Sequence, residues 1–80
     1  MIRKEEKLIA RGLSPPGPLL MLKKKLGEIE LNGYLRVIVS TSEAADEIIS
    51  YFREISAEYE LDRVGDDYHL IIDLDSCEDV

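Results

Sequence analysis

Two stretches of helical periodicity, each flanked by stretches of strand periodicity, constrain the fold of this 80-residue chain more than any other feature. Apolar residues recur at Leu19, Leu22, Leu26 and Ile29, and again at similar spacing across residues 45–55. Spacings of three and four residues predict two helices that each bury one face. Around them, apolar and polar residues alternate, which is typical of half-buried strands.

The alternating segments predict four strands and the element order β-α-β-α-β-β. The predicted strands are residues 7–11, 34–40, 58–64 and 67–74. Gly65-Asp66 fits a tight hairpin between the last two strands. A two-layer α/β sandwich, with both helices on one face of a four-stranded sheet, buries all the apolar faces. We therefore predict one domain over residues 1–80, with a core at about 7–74 and an acidic tail at 75–80.

Charge is distributed unevenly along the chain, whose net charge is −7. The first forty residues hold eight basic and four acidic side chains, and the last forty hold two basic and thirteen acidic ones. This balance disfavours non-specific binding to nucleic acid, although a basic patch on the first half stays open. No apolar run approaches the roughly 20 residues that cross a bilayer. The start, MIRKEEKLIAR, is too charged for a secretory signal, so we expect a cytoplasmic protein without a membrane partner.

The chain has one cysteine and one histidine, so it forms no intrachain disulfide and offers no zinc-binding cluster. We predict neither a metal nor another cofactor. Cys77 lies among acidic residues, and their charge disfavours the reactive thiolate. His69 is predicted on the sheet face opposite the helices, as solvated surface.

The segment RGLSPPGPLLMLKKKL, residues 11–26, leads from the first strand into the first helix. Pro16 fits the first turn of a helix because its missing N–H would have no intrahelical partner there. Ser14 is a candidate cap for that helix. Three lysines at positions 23–25 follow near the helix C-terminus, where cations suit the helix dipole.

This segment resembles the motif R-G-L-x-C-P-x-P-L of the TusA/SirA-like sulfur-carrier family, which is followed by a helix with basic residues. The matching residues are Arg11, Gly12, Leu13, Pro16, Pro18 and Leu19, with Lys23 and Lys24 as the basic pair. The resemblance extends over about residues 8–74. It implies a four-stranded mixed sheet of order 1-2-4-3, whose last strand is antiparallel to the others.

The sequence departs from the family motif at its central position. Pro15 stands where the family has cysteine, and Ile9 stands where the family tends to have aspartate. The resemblance implies that the family thiol, at a helix N-terminus, accepts sulfur as a persulfide. Proline has no nucleophile, and the hydroxyl of neighbouring Ser14 cannot form a persulfide. The family implies a sulfurtransferase, but we predict no catalytic residue here, and enzyme activity stays open.

We predict that the chain is a non-catalytic relative that binds another protein of sulfur relay. A desulfurase, a tRNA-thiolation protein or a molybdenum-cofactor protein would be such a partner. Complementary charge at this contact would speed encounter and select the partner. The predicted contact residues are Arg11, Gly12, Leu13, Ser14, Pro15, Pro16, Pro18, Lys23 and Lys24.

Two alternative functions and one possible contact between copies of the chain stay open. The basic first half, and a fold that resembles the C-terminal domain of translation initiation factor three, suggest a small RNA-associated module. An active sulfur carrier that uses Cys77 is another. Finally, Ile9, Ile38 and Ile71 are predicted to lie side by side on the open sheet face, where an exposed apolar patch could join two copies as a homodimer.

Overall fold

The elements of the fold follow the predicted order β-α-β-α-β-β in a computed structural model that describes residues 4–77. The sheet order is β1-β2-β4-β3, with β1 parallel to β2 and β4 antiparallel to β2 and β3. The predicted mixed sheet and its order are therefore confirmed. The elements are β1 (Glu5–Ile9), α1 (Gly17–Glu28), β2 (Tyr34–Val39), α2 (Ser42–Glu54), β3 (Tyr59–Val64), β4 (Asp67–Asp73) and a 3-10 turn (Leu74–Ser76).

The core lies between the two helices and one face of the sheet. Alternate residues of the central strands, among them Val37 of β2 and Leu70 of β4, are fully buried on that face. They pack with Leu22 of α1 and with Ile48 and Phe52 of α2 in one cluster. Both predicted helical stripes therefore face the sheet. Neither helix within residues 4–77 is long and apolar enough to cross a membrane.

Gly33 fixes the turn into β2 at a crowded point. Its φ of +79° is in the left-handed region that favours glycine. A Cβ at this position would collide with the backbone carbonyl oxygen of Lys4. That same carbonyl accepts the N–H of Tyr34 at 2.7 Å. Glycine at position 33 thus permits β1 to approach the start of β2 closely.

The end of β4 is held by a side-chain hydroxyl. Ser76 Oγ donates to the carbonyl oxygen of Asp73 at 2.6 Å and accepts the N–H of Glu58 at 2.7 Å. Leu74 is buried in the core. Ser76 of the predicted acidic tail is therefore tied to Glu58, which directly precedes β3, and residues 78–80 lie outside the described part of the chain.

Candidate functional site

Residues 12–18 form the entrance to α1, and hydrogen bonds fix where this loop begins. The N–H of Ala10 donates to the carbonyl oxygen of Ile38 at 2.8 Å, which extends the β1–β2 pairing by one residue. The N–H of Gly12 donates to Ser40 Oγ, also at 2.8 Å. The entrance therefore leaves the sheet beside the C-terminal end of β2.

Arg11, which precedes the entrance, is tied to the first residue of β4. Its Nε donates to Asp67 Oδ2 at 2.7 Å. Exposed ion pairs of this kind contribute little to stability, typically about 0–1 kcal/mol. Arg11 could therefore leave Asp67 and bind a carboxylate of a partner instead, at a small cost in free energy.

The prolines of the entrance have different environments. Pro18, in the first turn of α1, is fully buried, so its side chain is not available for contact. Pro16 is the exposed N-cap residue and Pro15 is half-buried; the peptide bond between them is cis. The predicted Ser14 side-chain cap is wrong, because α1 has no side-chain capping bond. The backbone carbonyl oxygen of Ser14 accepts the N–H of Gly17 at 2.9 Å instead.

An exposed strip runs from the entrance along the outer side of α1. It consists of Leu13, Gly17, Leu20 and Lys24. The three helical residues are three and four positions apart, so they share one helix face. Leu13 is exposed beside Gly17, and Leu20 is 60% exposed. Leu20 was missed in the sequence analysis; its position outside the buried stripe of α1 was the signal that could have found it.

The three consecutive lysines point in three directions, because successive residues of a helix are about 100° apart. Lys23 Nζ lies 5.1 Å from the ring centroid of Tyr51 on α2. Lys25 Nζ lies 3.4 Å from Glu6 Oε2 on β1. Within residues 4–77, Lys24 makes no ion pair, so it is the lysine best placed to meet an external acidic group.

The family profile described as Sulfurtransferase TusA matches residues 6–73, from β1 to the end of β4. The chain belongs to the TusA family. TusA proteins work in sulfur relay together with other proteins. No curated protein matches the chain. Position 15, where the TusA motif has its cysteine, lies in the entrance directly before the N-cap residue of α1.

Cys77 lies at the opposite end of the sheet from the TusA motif position. β4 begins at Asp67, which binds Arg11, and ends at Asp73, whose carbonyl oxygen lies 3.8 Å from Cys77 Sγ. The seven residues of β4 span roughly 20 Å at about 3.3 Å per residue. Cys77 therefore lies far from the position of the TusA thiol at the entrance.

Burial raises the pKa of the Cys77 thiol, and the charge of nearby Asp73 raises it further. The thiolate, which is the nucleophilic form, is therefore scarcer at neutral pH than for an ordinary cysteine. We expect iodoacetamide to alkylate Cys77 several-fold more slowly in the folded protein than in the same chain unfolded in urea. The difference should shrink as the pH rises toward the pKa of the folded thiol.

Intact mass at successive times and pH values measures both alkylation rates. The urea-unfolded chain is the matched control, since it has the same thiol without the burial. Faster alkylation of the folded protein at neutral pH would contradict this prediction and would strengthen the alternative of a carrier that uses Cys77.

His69 is buried on the open face of the sheet, so its prediction as solvated surface is wrong. It is 9% exposed, and its Nδ1 lies 3.0 Å from Arg36 Nη1. Because an arginine can only donate, Nδ1 is the acceptor of this hydrogen bond. Arg36 Nε in turn donates to Glu5 Oε1 at 3.1 Å. The histidine is thus part of a structural chain of polar groups across three strands.

The predicted row of three exposed isoleucines is also wrong in its geometry. Ile9 is opposite Ile38, and Ile38 is opposite His69, whereas Ile71 is opposite Arg36 in the next row. Ile38 is only 4% exposed, and Ile9 is 56% exposed. Dimerisation through this face stays a prediction, and Ile9 is its one strongly exposed member.

Proposed function

We propose that this TusA-family protein binds another protein of sulfur relay at its entrance and does not carry sulfur itself. One observation carries the proposal. The residues that flank position 15 in the TusA motif are retained, but position 15 itself has no nucleophile. Gly12 is hydrogen-bonded to Ser40, and Pro18 is buried in the first turn of α1. Pro15, at the position of the family cysteine, offers no thiol. We expect this binding to take place in the cytoplasm.

The contact would combine the exposed strip with the cations beside it. Leu13 and Leu20 supply apolar surface next to the entrance, and Lys24 supplies a cation on the same side of α1. Exposed apolar groups close to polar ones are typical of protein interaction sites. A matching partner has an apolar patch bordered by carboxylates, and complementary charge would speed the encounter. A cysteine desulfurase is the first partner to test.

We expect Leu20→Glu to weaken binding to a cysteine desulfurase by about tenfold or more. The substitution removes apolar burial worth roughly 1.5–3 kcal/mol for a leucine and places an acid where the partner is expected to be acidic. Leu31→Glu is the matched control, because Leu31 is an exposed leucine that follows the C-terminal end of α1, away from the entrance. Titration calorimetry of both variants and the parent chain gives the dissociation constants.

Equal weakening by both substitutions would contradict the entrance as the contact, and so would unchanged binding of Leu20→Glu. Failure of the parent chain to bind a desulfurase, a tRNA-thiolation protein or a molybdenum-cofactor protein would overturn the proposal. If the parent chain instead binds RNA, with an affinity that falls steeply as salt rises, the RNA-associated alternative is favoured.

A further inference from the structure

The outer edge of β3 is a second exposed surface, away from the entrance. In the order β1-β2-β4-β3, this strand pairs with β4 on one side, and no strand within residues 4–77 pairs with its other side. Every residue of β3 after Tyr59 is exposed, including the apolar Leu61 and Val64. An uncovered edge strand with exposed apolar residues is a template for a further strand.

The backbone of β3 has hydrogen-bonding groups available on that outer side. The N–H of Asp73 on β4 donates to the carbonyl oxygen of Glu58 at 2.9 Å. Hydrogen-bonded pairs recur at every second residue of an antiparallel ladder. The N–H and C=O groups of Glu60 and Asp62 therefore face β4, and those of Leu61 and Arg63 face away from it. An extended segment that joins this edge would pair with the outward groups.

The side chains of β3 define the chemistry of that segment. Glu60 and Asp62 of β3, and Glu58 directly before it, occupy alternate positions, so their side chains lie on the open face of the sheet. Beside them lies a groove of about 470 Å³, which has four carboxylates in its lining. The residues that line the groove are Glu5, Tyr34, Glu58, Tyr59, Glu60, Ile71 and Asp73.

A second copy of this chain is a poor occupant of the edge. Suppose that the β3 strands of two copies paired in antiparallel, with the open faces of both sheets on the same side. Glu60 would then be opposite Glu60 of the other copy in one register and opposite Asp62 in another. In the next register, Asp62 would be opposite Asp62. Like charges directly across a strand pair are destabilising, so the acids keep copies apart while they attract a basic segment.

We propose that β3 binds an extended segment of a partner protein in which Lys or Arg alternates with apolar residues. The basic side chains would lie on the open face beside Glu60 and Asp62, and one of them would reach into the groove. The apolar side chains would lie on the other face, next to Leu61. This surface is at the opposite edge of the sheet from β1 and does not depend on the proposed function of the entrance.

A labelled peptide of alternating lysine and valine tests the proposal by fluorescence anisotropy with the full chain. A peptide of the same composition, with the lysines grouped in one block, is the control. We expect the alternating peptide to bind about tenfold more tightly, and the double variant Glu60→Lys/Asp62→Lys to lose about tenfold in affinity for it. The double variant Glu28→Lys/Glu54→Lys changes net charge equally at exposed helix ends and should bind as the parent does.

Leu61→Pro tests strand pairing itself. It removes an N–H that faces away from β4, so it should block the added strand without breaking the ladder to β4. Amide hydrogen exchange of the parent chain should slow at Leu61 and Arg63 when the alternating peptide binds. Equal binding of both peptides, equal loss in both charge-reversed variants, or unchanged exchange at β3 would overturn the proposal. If the parent chain dimerises and Leu61→Pro abolishes the dimer, the proposal would also be overturned, because a second copy would then be the occupant of this edge.

Discussion

We expect the Pro15→Cys variant to gain the mass of one sulfur atom when it is incubated with a cysteine desulfurase and free cysteine, and the parent chain to keep its mass. The new thiol would stand at the electropositive end of α1, whose first turn has no acidic residue and no side-chain cap. Such a position favours the thiolate. The thiolate attacks the outer sulfur of the desulfurase persulfide, and the cysteine of the enzyme leaves as a thiolate. The transfer therefore needs no oxidant.

Two further variants make the mass measurement decisive. Pro15→Ser removes the same proline ring without adding a thiol, and Cys77→Ser removes the native thiol. A reductant should return the mass of Pro15→Cys to its starting value, because a persulfide is reducible. If Pro15→Cys is folded and gains no sulfur, the entrance does not dock a desulfurase productively. If the parent gains sulfur and Cys77→Ser does not, Cys77 carries sulfur and the proposed non-catalytic function is wrong.

The fold was predictable because the spacing of apolar residues within each element indicates which of its faces is buried. The spacing of Leu22 and Leu26 in α1 and of Ile48 and Phe52 in α2 places them on one side of their helices. Strand alternation does the same for β2 and β4. Once the buried faces are known, few two-layer arrangements cover them all. The strand order came from the resemblance to the TusA family, since local pattern alone does not choose neighbours.

Burial on the open face was not predictable in the same way. His69 and Ile38 alternate with core residues, so their side chains were expected to meet solvent. Ile38 and His69 are opposite each other in the sheet, and Arg36, two residues before Ile38 in β2, donates to His69. Long side chains on neighbouring strands can cover shorter ones, and which neighbours do so depends on register. Sequence spacing within one strand does not contain that register.

The candidate site was predictable where it depends on local motif and not where it depends on tertiary contacts. The entrance follows from Gly12 and the prolines, which act on their own backbone. The separation of the lysines follows from helix geometry, but the partners of Lys23 and Lys25 lie on α2 and β1. The outer edge of β3 exists because β4 inserts between β2 and β3, an order that came from the resemblance to the TusA family and not from local pattern.

We expect Leu22→Ala to destabilise the protein by about 3–5 kcal/mol, the usual cost of truncating a fully buried leucine. Leu22, on the buried face of α1, is 0% exposed and packs in the core cluster. Truncation removes apolar burial and leaves a cavity that close-packed neighbours fill only in part. A loss of this size is a large fraction of the roughly 5–15 kcal/mol that stabilises a typical domain. Urea denaturation followed by circular dichroism measures the change in unfolding free energy.

Leu20→Ala is a matched control, because it makes the same chemical change two residues earlier in the same helix. Leu20 lies on the exposed strip, so its truncation should change the unfolding free energy by no more than about 0.5 kcal/mol. Any effect of helix propensity is shared by the two variants and cancels in their difference. Comparable losses from both would mean that Leu20 is packed in the folded protein. The exposed strip would then lose its main apolar residue, and the proposed contact beside the entrance would lose most of its apolar surface.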